Sequence, residues 1–269
     1  MVIKHANFRF YAELNDFLKP AGRYQSVLLS FKGRQSVKHL VESLGVPHPE
    51  IDLILVNGES VDFDYLVQDG DRLSVYPVFE SMNIASVNHL RPLPLRETRF
   101  VLDGHLGKLA AFLRMVGFDT RYRNDFDDAE LAAVSLEEQR ILLTRDRGLL
   151  KRKQVKRGYC LRSKDPYEQL REIVQRFDLL GNMHPFTRCM ACNGILEPVE
   201  KGDILHLLEP GTKKYFQYFE QCRQCGKVYW KGTHHDRMSR MIERLRSDLK
   251  NEPIKQIQES SKNQSRPEG

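Results

Sequence analysis

The chain has 269 residues, 42 basic against 36 acidic, giving a formal net charge of +6; 41% of residues are hydrophobic and 29% charged. It is too apolar for a disordered chain and too charged for a membrane protein, and no apolar run approaches the roughly 20 residues that span a bilayer. The start, MVIKHANFRFY, lacks the apolar core of a signal peptide, so a soluble, cytoplasmic protein with no membrane partner is expected.

Charge is spread unevenly. Residues 1–80 carry 8 basic and 11 acidic side chains, residues 81–180 carry 19 and 14, and residues 181–269 carry 15 and 11. The basic excess belongs to the last two-thirds. That suits an enzyme that needs a metal to act on nucleic acid, or else an ordinary solvated surface. A single core rarely grows beyond roughly 250–300 residues, so two or three domains are expected.

Residues 1–80 predict strand, strand, helix, strand, strand. Strands fall over Val2–Tyr11 and Ser26–Phe31, and Ser36 caps a helix through Leu44 that Gly45 and Pro47 stop. Further strands are Ile51–Val56, then Val61–Phe63 after an Asn57-Gly58 turn, and Arg72–Val78 after Asp69-Gly70-Asp71. With VNGESV and the DGD turn, this order resembles the β-grasp, ubiquitin-like family and, within it, small sulfur carriers. A carrier ends in a free diglycine, whereas here the chain runs on through Pro77-Val78-Phe79-Glu80. The module is therefore read as a binding or positioning domain, with a possible protein partner. Residues 81–98 contain Pro92 and Pro94 without a clean period and are read as a linker.

From Arg99 the pattern becomes alternating strand and helix, which predicts a mostly parallel sheet. Phe100–Asp103 is an apolar strand ending in an acid. Leu106, Leu109, Ala110, Leu113 and Val116 share one helix face that ends at Gly117. Phe118–Tyr122 is a strand, residues 125–139 a helix, and Arg140–Asp146 a strand again ending in an acid. Gly158–Leu161 is a fourth strand, and Asp165-Pro166 opens a last helix.

In such sheets ligands bind beyond the carboxyl ends of the strands. Asp103 and Asp146 fall there, and the acidic run 125–130 follows another strand. If the first and third strands are neighbours, these acids converge on a hard divalent cation, Mg²⁺ or Mn²⁺, able to activate water and polarise a phosphate. No Ser-His-Asp or Cys-His pattern and no GxxxxGK[ST] loop competes. Each acid also has a plainer reading. Asp103 and Asp146 could cap the turns that follow. Asp127 and Glu130 are spaced as a capping box, which makes Asp127 a cap and leaves Asp128 and Glu130 the better cleft candidates.

Phe100-Val101-Leu102-Asp103-Gly104-His105-Leu106-Gly107-Lys108-Leu109-Ala110, Leu113-Arg114-Met115-Val116-Gly117-Phe118-Asp119-Thr120, Asp128-Ala129-Glu130-Leu131 and Ile141-Leu142-Leu143-Thr144-Arg145-Asp146 occur in order. They resemble the PIN-like ribonuclease family first named from the C-terminus of the Mut-seven exonuclease. Its bacterial members carry an N-terminal ubiquitin-like domain and a C-terminal zinc ribbon, and the likeness covers residues 1–250. It implies a PIN-like fold with Asp103, Asp128 and Asp146 as metal-binding, catalytic acids and Glu130 as a fourth. Around them, Lys108, Arg114, Thr144 and Arg145 are candidates for holding a nucleic-acid phosphate or pairing with an acid. The basic run Lys151-Arg152-Lys153 is a candidate RNA track or a plain solvated loop.

Cys189-Met-Ala-Cys192 and Cys222-Arg-Gln-Cys225 are two CxxC knuckles that close a tetrahedral thiolate shell, suiting structural Zn²⁺ ahead of iron or a redox dithiol. A closed shell activates no water. A hairpin of Ile204–Leu208 and Tyr215–Glu220, turning at Pro210-Gly211, is expected between the knuckles. The nearby aromatics are core or a stacking platform for single-stranded bases, Trp230 being the best candidate. Cys160 reads as core. A basic helix follows over 237–250 and a disordered tail over 251–269.

The sequence thus predicts an α/β multidomain protein: a β-grasp domain (1–80), a linker (81–98), a PIN-like parallel α/β nuclease domain (99–180) and a zinc ribbon (181–236). Its expected function is Mg²⁺- or Mn²⁺-dependent hydrolysis of RNA. The rivals are a non-catalytic RNA-binding protein and a protein-interaction adaptor.

Overall fold

The computed structural model describes residues 2–77 and 98–264. The chain forms two compact units, one of Met1–Gly107 with Tyr122–Arg162, the other of Lys108–Arg121 with Ser163–Gly269.

The first unit opens with β1 (Ile3–Phe10), β2 (Ser26–Lys32), α1 (Val37–Ser43), β3 (Ile51–Val56), β4 (Glu59–Ser60) and β5 (Arg72–Pro77). Ala6, Phe8 and Phe10 alternate onto one buried face of β1, as the period of two requires. Ser36 caps α1, its Oγ accepting from the His39 N–H at 3.3 Å. Asn57 and Gly58, both at positive φ, turn β3 into β4. The buried Asp71 carboxylate locks the DGD turn, accepting from Asn57 Nδ2, the Tyr65 hydroxyl and the Gln68 N–H. The sheet order is β2-β1-β5-β3-β4, with β1 and β5 parallel and the other pairs antiparallel. This is the β-grasp arrangement. The strand expected over Val61–Phe63 does not form. β4 stops at Ser60, and Val61 and Phe63 pack on the core from a loop.

Next come β6 (Arg99–Leu102), α2 (Gly107–Met115), β7 (Asp119–Tyr122), α3 (Asp128–Glu137), β8 (Ile141–Thr144), α4 (Arg147–Leu150), β9 (Gly158–Cys160) and α5 (Pro166–Arg176). β8 lies between β6 and β9 and is parallel to both. The strands leading into Asp103 and Asp146 are therefore neighbours, the condition on which convergence of their acids depends. Val101, Leu131, Leu142, Leu149, Leu150 and Val155 share one buried cluster with Phe8, Phe10, Val41 and Ile54. The β-grasp fold and the parallel strands thus have a common interior, which the division at residues 81–98 does not anticipate. The linker itself, apart from residue 98, lies outside the described residues.

The second unit holds most of α2 and β7, α5, and then β10 (Leu196–Val199), α6 (Lys201–Ile204), α7 (Pro210–Tyr215), β11 (Phe219–Cys222), β12 (Val228–Trp230) and α8 (Thr233–Gln264). Leu109, Ala110 and Leu113 are buried on α2, and Gly117 follows at φ +103°. Asp165 caps α5 through the Tyr167 and Glu168 N–H groups. The ribbon is an antiparallel sheet in the order β10-β11-β12. The hairpin expected from Ile204–Leu208 and Tyr215–Glu220 is absent. Pro210 sits where its fixed φ starts a helix, so α7 replaces the turn, and Ile204 and Leu208 pack on Phe219. α8 packs on α5, with the Tyr167 hydroxyl donating to Asp248 Oδ2 at 2.8 Å and Arg244 over the Tyr167 ring. It also runs past Lys250 to Gln264, where a disordered tail was expected; the Lys, Glu and Gln residues there are good helix formers. Among the described residues no helix is long and apolar enough to cross a membrane.

Candidate active site and metal centre

β6 and β8 run side by side, so the residues after their last positions emerge together. Thr144, fully buried at the end of β8, joins the two acids. Its hydroxyl donates to Asp103 Oδ2 at 2.8 Å and accepts from the Asp146 N–H at 2.9 Å. Each acid also caps the turn that follows, as its plainer reading has it. Asp103 Oδ1 accepts from the His105 N–H at 3.4 Å, and Asp146 Oδ1 from the Gly148 N–H at 2.6 Å. Asp146 Oδ2 takes no hydrogen bond among the described residues and stands at an exposed position. The turn after Asp103 needs its glycines. A Cβ on Gly104 would lie 2.9 Å from the Asn124 carbonyl oxygen, and one on Gly107 would lie 2.7 Å from the Tyr122 hydroxyl. That hydroxyl donates to the Gly104 carbonyl at 2.8 Å and pins the turn.

Asp128 stands apart from this pair. It is exposed on the first turn of α3, with Arg152 Nη2 3.3 Å from Oδ2. Asp103, Asp128 and Asp146 do not bring ligand atoms within 4.8 Å of one another; among the described residues only the four cysteines form such a group. Glu130 completes a helix cap. Its Oε2 accepts from the Asp127 N–H at 3.0 Å, while Asp127 Oδ1 accepts from the Ala129 and Glu130 N–H groups, a complete capping box.

The expected phosphate-binding cations divide. Arg145 and Lys153 are exposed, as is Lys108 at the start of α2. Lys151 is instead a tie within the fold, its Nζ donating to the Glu42 carbonyl at 2.7 Å. Arg152 pairs with Asp128. Arg114 is no surface cation. Only 4% exposed, it donates Nε to the Thr120 carbonyl at 3.0 Å and Nη1 to the Met190 and Ala191 carbonyls at 3.1 and 2.8 Å. It latches α2 to the first knuckle, a role that the helical pattern hides because cations on amphipathic helices usually face water. Trp230 is 39% exposed on β12, with Phe216 and Phe219 beside it.

The cysteine quartet closes as its spacing predicts. Cys189 and Cys225 Sγ lie 3.6 Å apart, Cys192 and Cys222 Sγ 3.4 Å, and all four within 4.8 Å. A tetrahedral Zn–S₄ shell needs about 3.8 Å between sulfurs, so the donor set fits Zn²⁺. Gly194 is required beside it, since a Cβ there would lie 2.7 Å from Cys222 Sγ. The Tyr229 hydroxyl, not foreseen from the sequence, lies 3.1 Å from Cys189 Sγ. Burial pushes the Cys189 thiol up, but the Tyr229 hydroxyl and the Cys192 and Ala191 N–H groups outweigh it and bring it down to about 6. Asn193 ties this knuckle onward, accepting from the Thr120 N–H at 2.9 Å and donating to Asp119 at 2.8 Å.

Comparison with known proteins agrees with this architecture. The Mut7-C ubiquitin model matches residues 3–83, and the Mut7-C RNAse domain model matches residues 98–242. The human "Exonuclease mut-7 homolog" is 36% identical over 107 residues, 38% of this chain and 12% of that protein, so the chain spans a small part of that relative's length. Two crystal structures of small archaeal modifier protein 1 from Haloferax volcanii are 21% and 19% identical. They cover 28% and 29% of this chain, and 97% and 99% of their own, at a TM-score of 0.23. With the RNAse-domain model spanning more than half of the residues and its ubiquitin companion ahead of it, the chain belongs to the Mut7-C RNAse domain family.

Proposed function

We propose that the protein is a metal-dependent ribonuclease whose site is centred on Asp103 and Asp146. The observation that carries this reading is the Thr144 bridge, which ties the Asp103 carboxylate to the backbone N–H of Asp146 at the ends of neighbouring parallel strands. Hard oxygen donors of this kind suit Mg²⁺ or Mn²⁺, which keep several waters and need only one or two carboxylates besides substrate phosphate. When bound, the ion supplies Lewis-acid polarisation of the phosphate and a more acidic water. The chain's part is orientation. Thr144 fixes the Asp103 carboxylate, the cap bond to Gly148 fixes Asp146, and Asp146 stands at an exposed position. Asp128, exposed beside Arg152, is the third acid of the proposal. In the first unit Arg145 and Lys153 hold the RNA backbone; in the second, taken by itself, Lys108 is a phosphate contact and Trp230 a stacking platform. The four cysteines hold a structural Zn²⁺.

The test is cleavage of labelled single-stranded RNA with Mn²⁺. Asp146→Asn keeps the shape and removes the charge, and should lower the rate by about a hundredfold or more while the fold, followed by circular dichroism, stays intact. Equal rates for wild type and variant would reject the assignment. RNA retained by the wild type without any product would favour the non-catalytic, adaptor reading.

A further inference from the structure

Asp146 opens α4, and α4 is held at both ends by the β-grasp part of the first unit. At its start the Arg147 guanidinium lies 4.8 Å from the Phe17 ring centroid, and Nη1 donates to the Phe17 carbonyl at 3.4 Å. Past its end Lys151 donates to the Glu42 carbonyl in the last turn of α1. Between these ties Leu149 and Leu150 are buried in the shared core. The neighbouring strand is fastened in the same way. Glu50, 1% exposed, accepts from the Cys160 N–H at 2.5 Å and meets Arg162 through two contacts of 3.4 Å. Arg162 lies over the Phe17 and Tyr159 rings, and the Cys160 thiol reaches the carbonyl of Arg145, the residue before Asp146.

A single helical turn has almost no stability of its own. The direction of a carboxylate at its cap therefore comes from what holds the turn, and orientation of reacting groups is a large part of a rate. Here the holding groups are Phe17, Glu42 and Glu50, all in the ubiquitin-like domain. A buried carboxylate–guanidinium pair such as Glu50–Arg162 adds little net stability and is better suited to fixing one register. A domain serving only as a handle for another protein would need no such fastening.

We infer that the ubiquitin-like domain is a built-in positioning element for Asp146, acting through the Phe17–Arg147 contact. The inference rests on the proposed role of Asp146 in cleavage. Phe17 and Arg147 are the positioning residues.

The experiment uses the full chain with Phe17→Leu, Arg147→Ala and the double variant, on labelled single-stranded RNA with Mn²⁺. Phe17→Leu keeps an apolar side chain and removes the ring. Each single variant should lower kcat about tenfold and change KM by less than about twofold, the pattern of lost orientation rather than lost binding. The double variant should be slower than the slower single by clearly less than the product of the two effects, because both remove the Phe17–Arg147 ring contact. Without RNA, amide exchange over residues 146–151 should quicken in both singles. An unchanged kcat for Phe17→Leu, effects that multiply in the double variant, or a raised KM with kcat intact would each overturn the inference. If Phe17→Leu fails to fold, Lys151→Met removes the other tie and is judged by the same readings. A wild type that cuts no RNA defeats the nuclease reading alone, and the exchange over 146–151 then decides whether the domain holds the turn: quickened exchange supports it, unchanged exchange overturns it.

Discussion

Thr144 shows how a small side chain can outweigh its size. Fully buried, it satisfies the Asp146 N–H and fixes the Asp103 carboxylate with one hydroxyl. Thr144→Val keeps the shape and leaves both groups without their partner, at a cost of about 1–3 kcal/mol. The expected result is a lower Tm and a clear fall in cleavage, with both restored by Thr144→Ser; full activity in Thr144→Val would remove Thr144 from the site. The acids at the strand ends were legible because a parallel sheet places such residues at its carboxyl edge. The hydroxyl bridge was not, because pattern alone cannot show which way a buried threonine donates. The burial of Arg114 is hidden from the sequence for a related reason. Burial of a cation depends on carbonyls 76 and 77 residues away, which no local window contains.

At the scale of elements, capping chemistry was the most readable signal. Ser36, Asp127 with Glu130, and Asp165 all cap where their spacing places them. It follows that Asp127→Ala should cost about 1 kcal/mol of stability, measured by urea unfolding, and leave RNA cleavage close to wild type. A loss of cleavage as deep as that of Asp146→Asn would instead make Asp127 a ligand. α4 escaped because four residues, Arg-Gly-Leu-Leu, are too few to show a period. The ribbon's expected hairpin failed because Ile204–Leu208 is a short apolar run, and periodicity does not tell strand from helix at that length. There the proline at position 210 was the better guide.

For the molecule as a whole, one buried histidine of the first unit couples stability to acid. His48 is 4% exposed, with Glu42 Oε1 2.7 Å from Nδ1 and the Phe63 ring edge-on. Burial holds its pKa below the ordinary histidine value, although the Glu42 contact pulls the other way. The unfolded chain therefore takes up the proton first. Stability from this group is full above about pH 6.5 and falls as the pH drops below it, by at most about 1.4 kcal/mol per pH unit. Tm should fall between about pH 7.5 and pH 5.5, and His48→Asn should flatten that fall; an unchanged slope would place the acid sensitivity elsewhere.

The two ends of the interior come from stretches that the segment 78–97 joins in sequence. Severing the chain within that segment would leave each fragment with a bare oily face and a missing half. The fragments should re-associate without covalent help. Their thermal midpoint would then climb with concentration, as for any heterodimer, where the intact chain shows one fixed value.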